Sequence, residues 1–168
     1  TSEVGIAVFD LTSGKSLYDY QAKKLYRPAS IEKLITGITA LDKLGVGYRF
    51  KTSLCYTGQL EDNQLNGDLY VIGGFDPEFA DEGMNRLVDI VVQSGIKKIN
   101  GRLYGDISMM DSLYWGMGWS WDDNPYYFQP YLSPLMYNKG YVEVTAHPAQ
   151  KDSAALLTIT PVSSYYSV

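Results

Sequence analysis

Arg27-Pro28-Ala29-Ser30-Ile31-Glu32-Lys33-Leu34 is where strand-like sequence gives way to a helix. From it onward Ile31, Leu34, Ile35, Ile38, Leu41 and Leu44 recur at helical spacing until Gly45 stops the run, which predicts an amphipathic helix with one apolar face. Pro28 disfavours helix at the residue before it, so Ser30 falls at or within the first turn. Upstream, Val4 to Phe9 alternates and is rich in β-formers, Thr12-Ser13-Gly14-Lys15 reads as a turn, and Ser16 to Tyr20 alternates again. These predict a hairpin that precedes the helix.

Past Phe50 the texture changes to short strand-like runs broken by Gly, Asn and Asp, which marks the start of a second unit. Strands are expected over Phe50 to Tyr56 and Gln64 to Ile72, with Gly73-Gly74 and Asp76-Pro77 as breakers. Met84 to Gln93 carries Leu87, Ile90 and Val91 on one side and is expected to be a helix ended by Gly95. Further strands are expected over Ile96 to Ile99, Gly101 to Tyr104, Tyr141 to Ala146 and Ala155 to Thr160, with a Trp- and Tyr-rich loop over Tyr114 to Tyr131.

The bulk properties set limits. A chain of 168 residues with 45% hydrophobic content can bury a core as one domain or as two small ones. A net charge of -5 without a basic stripe argues against a nucleic-acid partner, because a phosphate backbone calls for clustered Lys and Arg. The longest apolar stretches fall far short of the ~20 residues that span a bilayer, so no transmembrane segment is expected. The single cysteine, Cys55, rules out an internal disulfide framework or a multi-cysteine metal site and is expected to be a small buried thiol. The 15 Tyr and 3 Trp suit a β-sheet, and also half-exposed surfaces that grip partners or saccharide-like ligands.

Ser30 and Lys33 carry the chemistry. Three residues apart on a helix, a hydroxyl and an amine meet on one face and can share a proton. Serine is a poor nucleophile until a base takes its proton, and a lysine serves where burial or nearby charge favours its neutral form. The positive end of the helix also stabilises negative charge on an attacked carbonyl. Ser-x-x-Lys alone is a common pattern, and the competing reading is an N-cap serine beside a solvated lysine. Ser94-Gly95-Ile96-Lys97 matches it too, but at a helix end, where the dipole is unfavourable and Gly95 breaks the spacing.

The surroundings are more specific. The segment Arg27 to Leu34 between a hairpin and a helix resembles the nucleophile segment of penicillin-binding serine DD-peptidases. Gly67-Asp68-Leu69-Tyr70-Val71-Ile72-Gly73-Gly74-Phe75-Asp76-Pro77, then Gly101 to Asp111, then Gly118-Trp119-Ser120-Trp121-Asp122-Asp123 follow in the order seen in the class C low-molecular-mass group, the penicillin-binding protein 4 type. The resemblance runs from about Val4 to Val144. It implies an α+β fold: the N-terminal hairpin and nucleophile helix of a serine β-lactamase/transpeptidase-like domain over residues 1–50, joined to a β-rich inserted accessory domain with at least one helix over residues 51–168.

It further implies a serine-type D-alanyl-D-alanine carboxypeptidase, with or without endopeptidase activity, acting outside the cytoplasmic membrane on peptidoglycan stem peptides ending in D-Ala-D-Ala. Ser30 would be acylated, Lys33 would be its general base, and β-lactams would trap the acyl-enzyme. No cofactor or metal is implied. In this family an acidic residue of the inserted region faces the side chain of the substrate's third residue, and Asp106 lies in the matching segment. Its competing reading is a turn aspartate bonded to its own backbone.

The sequence departs from the family at its motifs and at Phe75. The Ser-x-Asn and Lys-Thr-Gly motifs are absent; Lys51-Thr52-Ser53 lacks the glycine. Phe75 stands where the family more often has another glycine. Thr1 opens the chain with no charged-then-apolar leader before it, so a signal peptide is not part of this sequence. The chain is therefore expected to be an N-terminal fragment or a shortened homologue, incomplete and inactive alone. The alternative is a non-catalytic cell-wall-binding or interaction module, suggested by Trp115, Trp119 and Trp121.

Three other features carry less. Gly14-Lys15-Ser16 is followed by a strand rather than a helix and reads as a turn. His147 has no Asp partner at a motif spacing. Asp122-Asp123, Asp81-Glu82 and Glu61-Asp62 lack the spacing of a calcium loop.

Overall fold

The computed structural model describes residues 2–124 and 126–167, and the chain divides into two compact units, Thr1–Tyr48 and Arg49–Val168. In the first, β1 (Ile6–Asp10) and β2 (Lys15–Tyr20) form an antiparallel hairpin running from Ile6 opposite Tyr20 to Asp10 opposite Lys15, with a bulge at Val8/Phe9. The turn between them is tied by Asp10, whose carboxylate accepts from the Thr12 amide at 2.9 Å and from the Ser13 hydroxyl. Gly14 closes it at φ +67, the left-handed region that favours glycine. A 3-10 turn, Ala29–Ile31, then leads into α1 (Glu32–Leu44). Glu32 at the N-terminus and Lys43 in the last turn complement the helix dipole, and Gly45, at φ +77, donates its amide to Leu41.

No described residue of this unit is buried. The apolar face of α1 is open to solvent, with Leu34 at 66% and Ile35 at 68% exposed. A lone hairpin and a 13-residue helix are each marginal in water. Six Ile and Leu side chains at about 1.5–3 kcal/mol each is what this face forgoes while uncovered.

The second unit has a core. β3 (Ser53–Tyr56), β6 (Leu69–Ile72) and β8 (Leu103–Asp106) form one sheet in the order β3-β6-β8; β4 (Gln59–Glu61), β5 (Gln64–Asn66) and β7 (Lys98–Ile99) form another in the order β4-β5-β7. In both, the first pair is antiparallel and the second parallel. Parallel neighbours need a crossover, and α2 (Asp81–Gln93) supplies it. Leu65, Leu69 and Ile96 are buried together, with Leu54, Val91 and Ile99 packed against them. β9 (Glu143–His147) and β10 (Leu156–Thr160) make a separate antiparallel pair.

Two expectations change. The run Gln64 to Ile72 is two strands in different sheets, and β4 precedes them, turned into β5 by Asp62 and Asn63 at φ +47 and +62. Cys55 is exposed, not buried. Side chains alternate along β3, so Leu54 facing the core sends Cys55 to the opposite face.

The Gly73-Gly74 breaker is a packing joint. A Cβ on Gly73 would sit 2.4 Å from the Pro134 carbonyl, and one on Gly74 would sit 2.1 Å from the Lys51 carbonyl oxygen. Phe75 follows at φ +58, its amide donating to the Pro134 carbonyl at 2.9 Å.

Candidate active site

Ser30 is the middle residue of the 3-10 turn, and Lys33 lies one residue inside α1. The turn is closed by the Ile31 amide donating to the Pro28 carbonyl at 3.0 Å, and the Glu32 amide faces the carbonyls of Ala29 and Ser30. Ala29 adopts φ +44, a left-handed conformation that costs an L-residue about 1–2 kcal/mol. Lys33 Nζ donates to Ser30 Oγ at 2.9 Å, which puts the amine within reach of the hydroxyl proton once it is neutral and its lone pair is turned to the serine. Both residues are exposed. The Ile31 and Glu32 amides at the helix start are thus turned toward carbonyls of the 3-10 turn.

Asp106 ends β8 in the other unit, paired with Ile72. The Ser108 hydroxyl, first, and the Ser108 amide at 2.8 Å hold its carboxyl below the usual carboxylate value. The residue borders an open depression of about 370 Å³ with Tyr70, Tyr104, Gly105, Ile107 and Ser108. Tyr70 and Tyr104 are direct partners across the parallel β6–β8 pair, and their rings stack at 5.0 Å and 14°. No local pattern signals that neighbour, because parallel register is invisible until the strands are paired.

The other candidates stand apart. The Ser94 hydroxyl is spent on the Ile90 carbonyl at 2.8 Å at the end of α2, and the Lys97 amide bonds to Asn63. Gly14 belongs to the hairpin turn. His147 lies in β9 opposite Leu156 and is exposed. Among the described residues no group of three or more His, Cys, Asp or Glu could hold a metal ion, and no helix is long and apolar enough to cross a membrane. Trp115 packs edge-on against Trp119 at 5.2 Å and tilted against Tyr131 at 5.1 Å, while Trp121 is 85% exposed.

A hairpin leading into a helix that opens with a hydrogen-bonded Ser-x-x-Lys pair defines a candidate acyl-transfer serine protein. The chain belongs to the D-Ala-D-Ala carboxypeptidase 3 (S13) family, whose model matches residues 1–168. It is similar to a D-alanyl-D-alanine carboxypeptidase of Actinomadura, 28% identical over 167 residues, covering 96% of this chain and 31% of that protein. It is also similar to the D-alanyl-D-alanine carboxypeptidase DacB of Haemophilus influenzae, 30% identical over 148 residues, covering 87% of this chain and 31% of that one. The crystal structure of penicillin binding protein 4 from Haemophilus influenzae superimposes with a TM-score of 0.73 at 27% identity, covering 92% of this chain and 34% of that one. The α+β architecture is thus a piece of that fold, and the chain spans about a third of the length of the relatives it matches.

Proposed function

We propose that this chain carries the nucleophile segment of a serine-type D-alanyl-D-alanine carboxypeptidase of the cell envelope. Residues 1–50 would be the N-terminal part of its transpeptidase-like domain and residues 51–168 its inserted accessory domain. The carrying observation is the 2.9 Å contact between Lys33 Nζ and Ser30 Oγ, in a chain that matches the family along its whole length.

In this reading Ser30 Oγ attacks the carbonyl carbon between the two D-alanines while its proton passes to Lys33 Nζ. The C–N bond then breaks, the proton goes to the departing amine of D-alanine, and an ester on Ser30 remains. Water adds to that ester and regenerates the hydroxyl. A β-lactam follows the same first step, but its leaving nitrogen stays tethered, so the ester persists. One of the similar solved structures is penicillin binding protein 4 complexed with a β-lactam.

Acylation needs more than this chain contains. The second hydroxyl of Ser-x-Asn and the substrate-holding strand of Lys-Thr-Gly are absent from the sequence, and the uncovered face of α1 is the surface that the remainder of a catalytic domain would bury. Asp106 enters as the acidic residue that would face the substrate's third side chain. Its bonds to Ser108 favour a turn role, and unchanged stem-peptide preference in Asp106→Asn would remove it from the site.

The test is intact-mass measurement after incubation with a penicillin. A stable adduct is expected in a complete family protein carrying these residues and none in Ser30→Ala, with little or none on the 168-residue chain alone. An adduct that persists in Ser30→Ala would overturn the assignment.

A further inference from the structure

Ala29, the residue before Ser30, has a backbone that its side chain does not explain. Alanine is the strongest helix former, and at the entry to a helix it is expected in the right-handed region. Its neighbours are there: Pro28 at φ -72 and ψ -28, Ile31 at -63 and -26, Glu32 at -57 and -25. Ala29 stands at φ +44. Asp62, Asn63, Asn138 and Asp152 also take positive φ, but Asn and Asp are the residue types that tolerate it. A strained residue persists where the surrounding chain over-determines it, and such residues collect at functional sites.

The chain on both sides holds Ala29 in place. Upstream, the Pro28 ring fixes its own φ, and the Pro28 carbonyl accepts from the Ile31 amide at 3.0 Å. Downstream, the Glu32 amide at the head of α1 faces the Ala29 carbonyl. Ala29 is thus a central residue of the Pro28–Ile31 turn, and Ser30 is the other. With both ends tied, returning Ala29 to negative φ would rotate its N–Cα bond by about 100°. Ser30 would be carried off the first turn, away from Lys33 Nζ, which now lies 2.9 Å from its Oγ. Glycine would adopt positive φ at less cost, but over a broad range. A residue with a Cβ has a small left-handed well, in which φ and ψ are fixed together. The methyl group accepts strain and in return gives the Ser30 side chain a defined direction.

We propose that Ala29 is a positioning residue of the acyl-transfer site: its left-handed backbone, confined by its Cβ, aims the Ser30 hydroxyl at Lys33. The inference rests on the proposed function for the rate it alters, and on the turn alone for the geometry.

The test compares Ala29→Gly with Ala29→Asn in a complete family protein carrying these residues. Both variants relieve the strain, but asparagine keeps the Cβ, so both should melt at or above the wild-type temperature. The limiting rate of acylation by benzylpenicillin should fall about tenfold in Ala29→Gly, with the half-saturating concentration unchanged, and stay within about threefold of wild type in Ala29→Asn. A glycine variant at the wild-type rate would overturn the proposal. So would an asparagine variant as slow as the glycine one, because the rate would then follow strain and not direction. If Ala29→Asn does not fold, Ala29→Ser, which keeps the Cβ at nearly the size of alanine, takes its place with the same expectation. Crystal structures of the variants are read apart from the kinetics. Ser30 Oγ should rest on Lys33 Nζ in wild type and in Ala29→Asn, and take more than one position in Ala29→Gly. That split without acylation of Ser30 in wild type removes the enzymatic reading alone, whereas acylated Ser30 with an undisturbed contact in Ala29→Gly removes the role of Ala29 alone.

Discussion

Lys33 Nζ lies 2.9 Å from Ser30 Oγ across one turn at the start of α1. The contact joins the 3-10 turn to the helix, so the pair is pre-set by local backbone and does not wait for distant chain. In a complete family protein Lys33→Ala should lower the rate of penicillin acylation by about 10²–10⁴-fold, the usual span for losing a general base. Lys33→Arg should fare no better, because a guanidinium does not give up its proton. Acylation kinetics followed by mass decide it, and an arginine variant close to the wild-type rate would rule out proton transfer to Lys33.

The open face of α1 leads to a second prediction. In the 168-residue chain the α1 amides, from Glu32 to Leu44, should exchange with solvent deuterium far faster than those of β5, β6 and the middle of α2. Leu65, Leu69 and Leu87 are buried, whereas no residue of α1 is. Hydrogen exchange by mass spectrometry reads both regions at once. Equal protection would mean that α1 is covered in solution.

Much of this was legible in the residues. The apolar spacing from Ile31 to Leu44 and the stop at Gly45 gave α1 almost to the residue, because helix period and C-terminal glycine are local signals. The hairpin was legible for the same reason. β4 is hard to read from the residues because its turn uses Asp62-Asn63 where Asn-Gly is the stronger signal, although both residues take up positive φ. α2 starts at Asp81, three residues before the first apolar-periodic residue Met84, since Asp81, Glu82 and Gly83 bring no apolar periodicity. Residue type is a poor guide to burial at Cys55, because the inward set of β3 is fixed by Leu54. The meeting of Ser30 and Lys33 was readable from i, i+3 spacing, but the stacking of Tyr104 on Tyr70 beside Asp106 depends on pairing across more than thirty residues of sequence.

Gly73→Ala and Gly74→Ala should each destabilise the second unit by about 2 kcal/mol or more, the range for overpacking against atoms that cannot yield. What they meet is main chain: the Pro134 carbonyl for one, the Lys51 carbonyl for the other. Gly37→Ala, in the helix with nothing near its Cβ, is the control and should stabilise α1 by up to about 1 kcal/mol. Urea melts compare them, and wild-type stability in either test variant would refute the close approach.

Acid should loosen the hairpin turn. The Ser13 hydroxyl, and after it the Thr12 and Ser13 amides, lower the Asp10 carboxyl from its ordinary 3.8. A carboxyl depressed by folding contributes stability that is present above its unfolded value and is lost as pH falls through the folded one. The Thr12 and Ser13 amide resonances should therefore hold steady down to about pH 4 and move only below it. Asp10→Asn should abolish that titration. Movement centred above the ordinary carboxylate value would mean that these bonds do not form in solution.

Phe75 offers a test of backbone strain apart from side-chain contacts. It sits at φ +58, immediately after the Gly73-Gly74 joint, with its amide fixed on the Pro134 carbonyl, so the conformation is imposed from both sides. An L-residue in that region carries about 1–2 kcal/mol of steric cost, which glycine escapes, while glycine gives back about 0.5–1 kcal/mol through its freer unfolded chain. Comparing Phe75→Gly with wild type would mix this with loss of the ring. Phe75→Ala loses the ring and keeps the strain, so the two variants isolate the backbone term. The glycine variant should be the more stable by about 0.5–1 kcal/mol in urea denaturation, and an alanine variant as stable or more so would mean that residue 75 relaxes out of the left-handed region in solution.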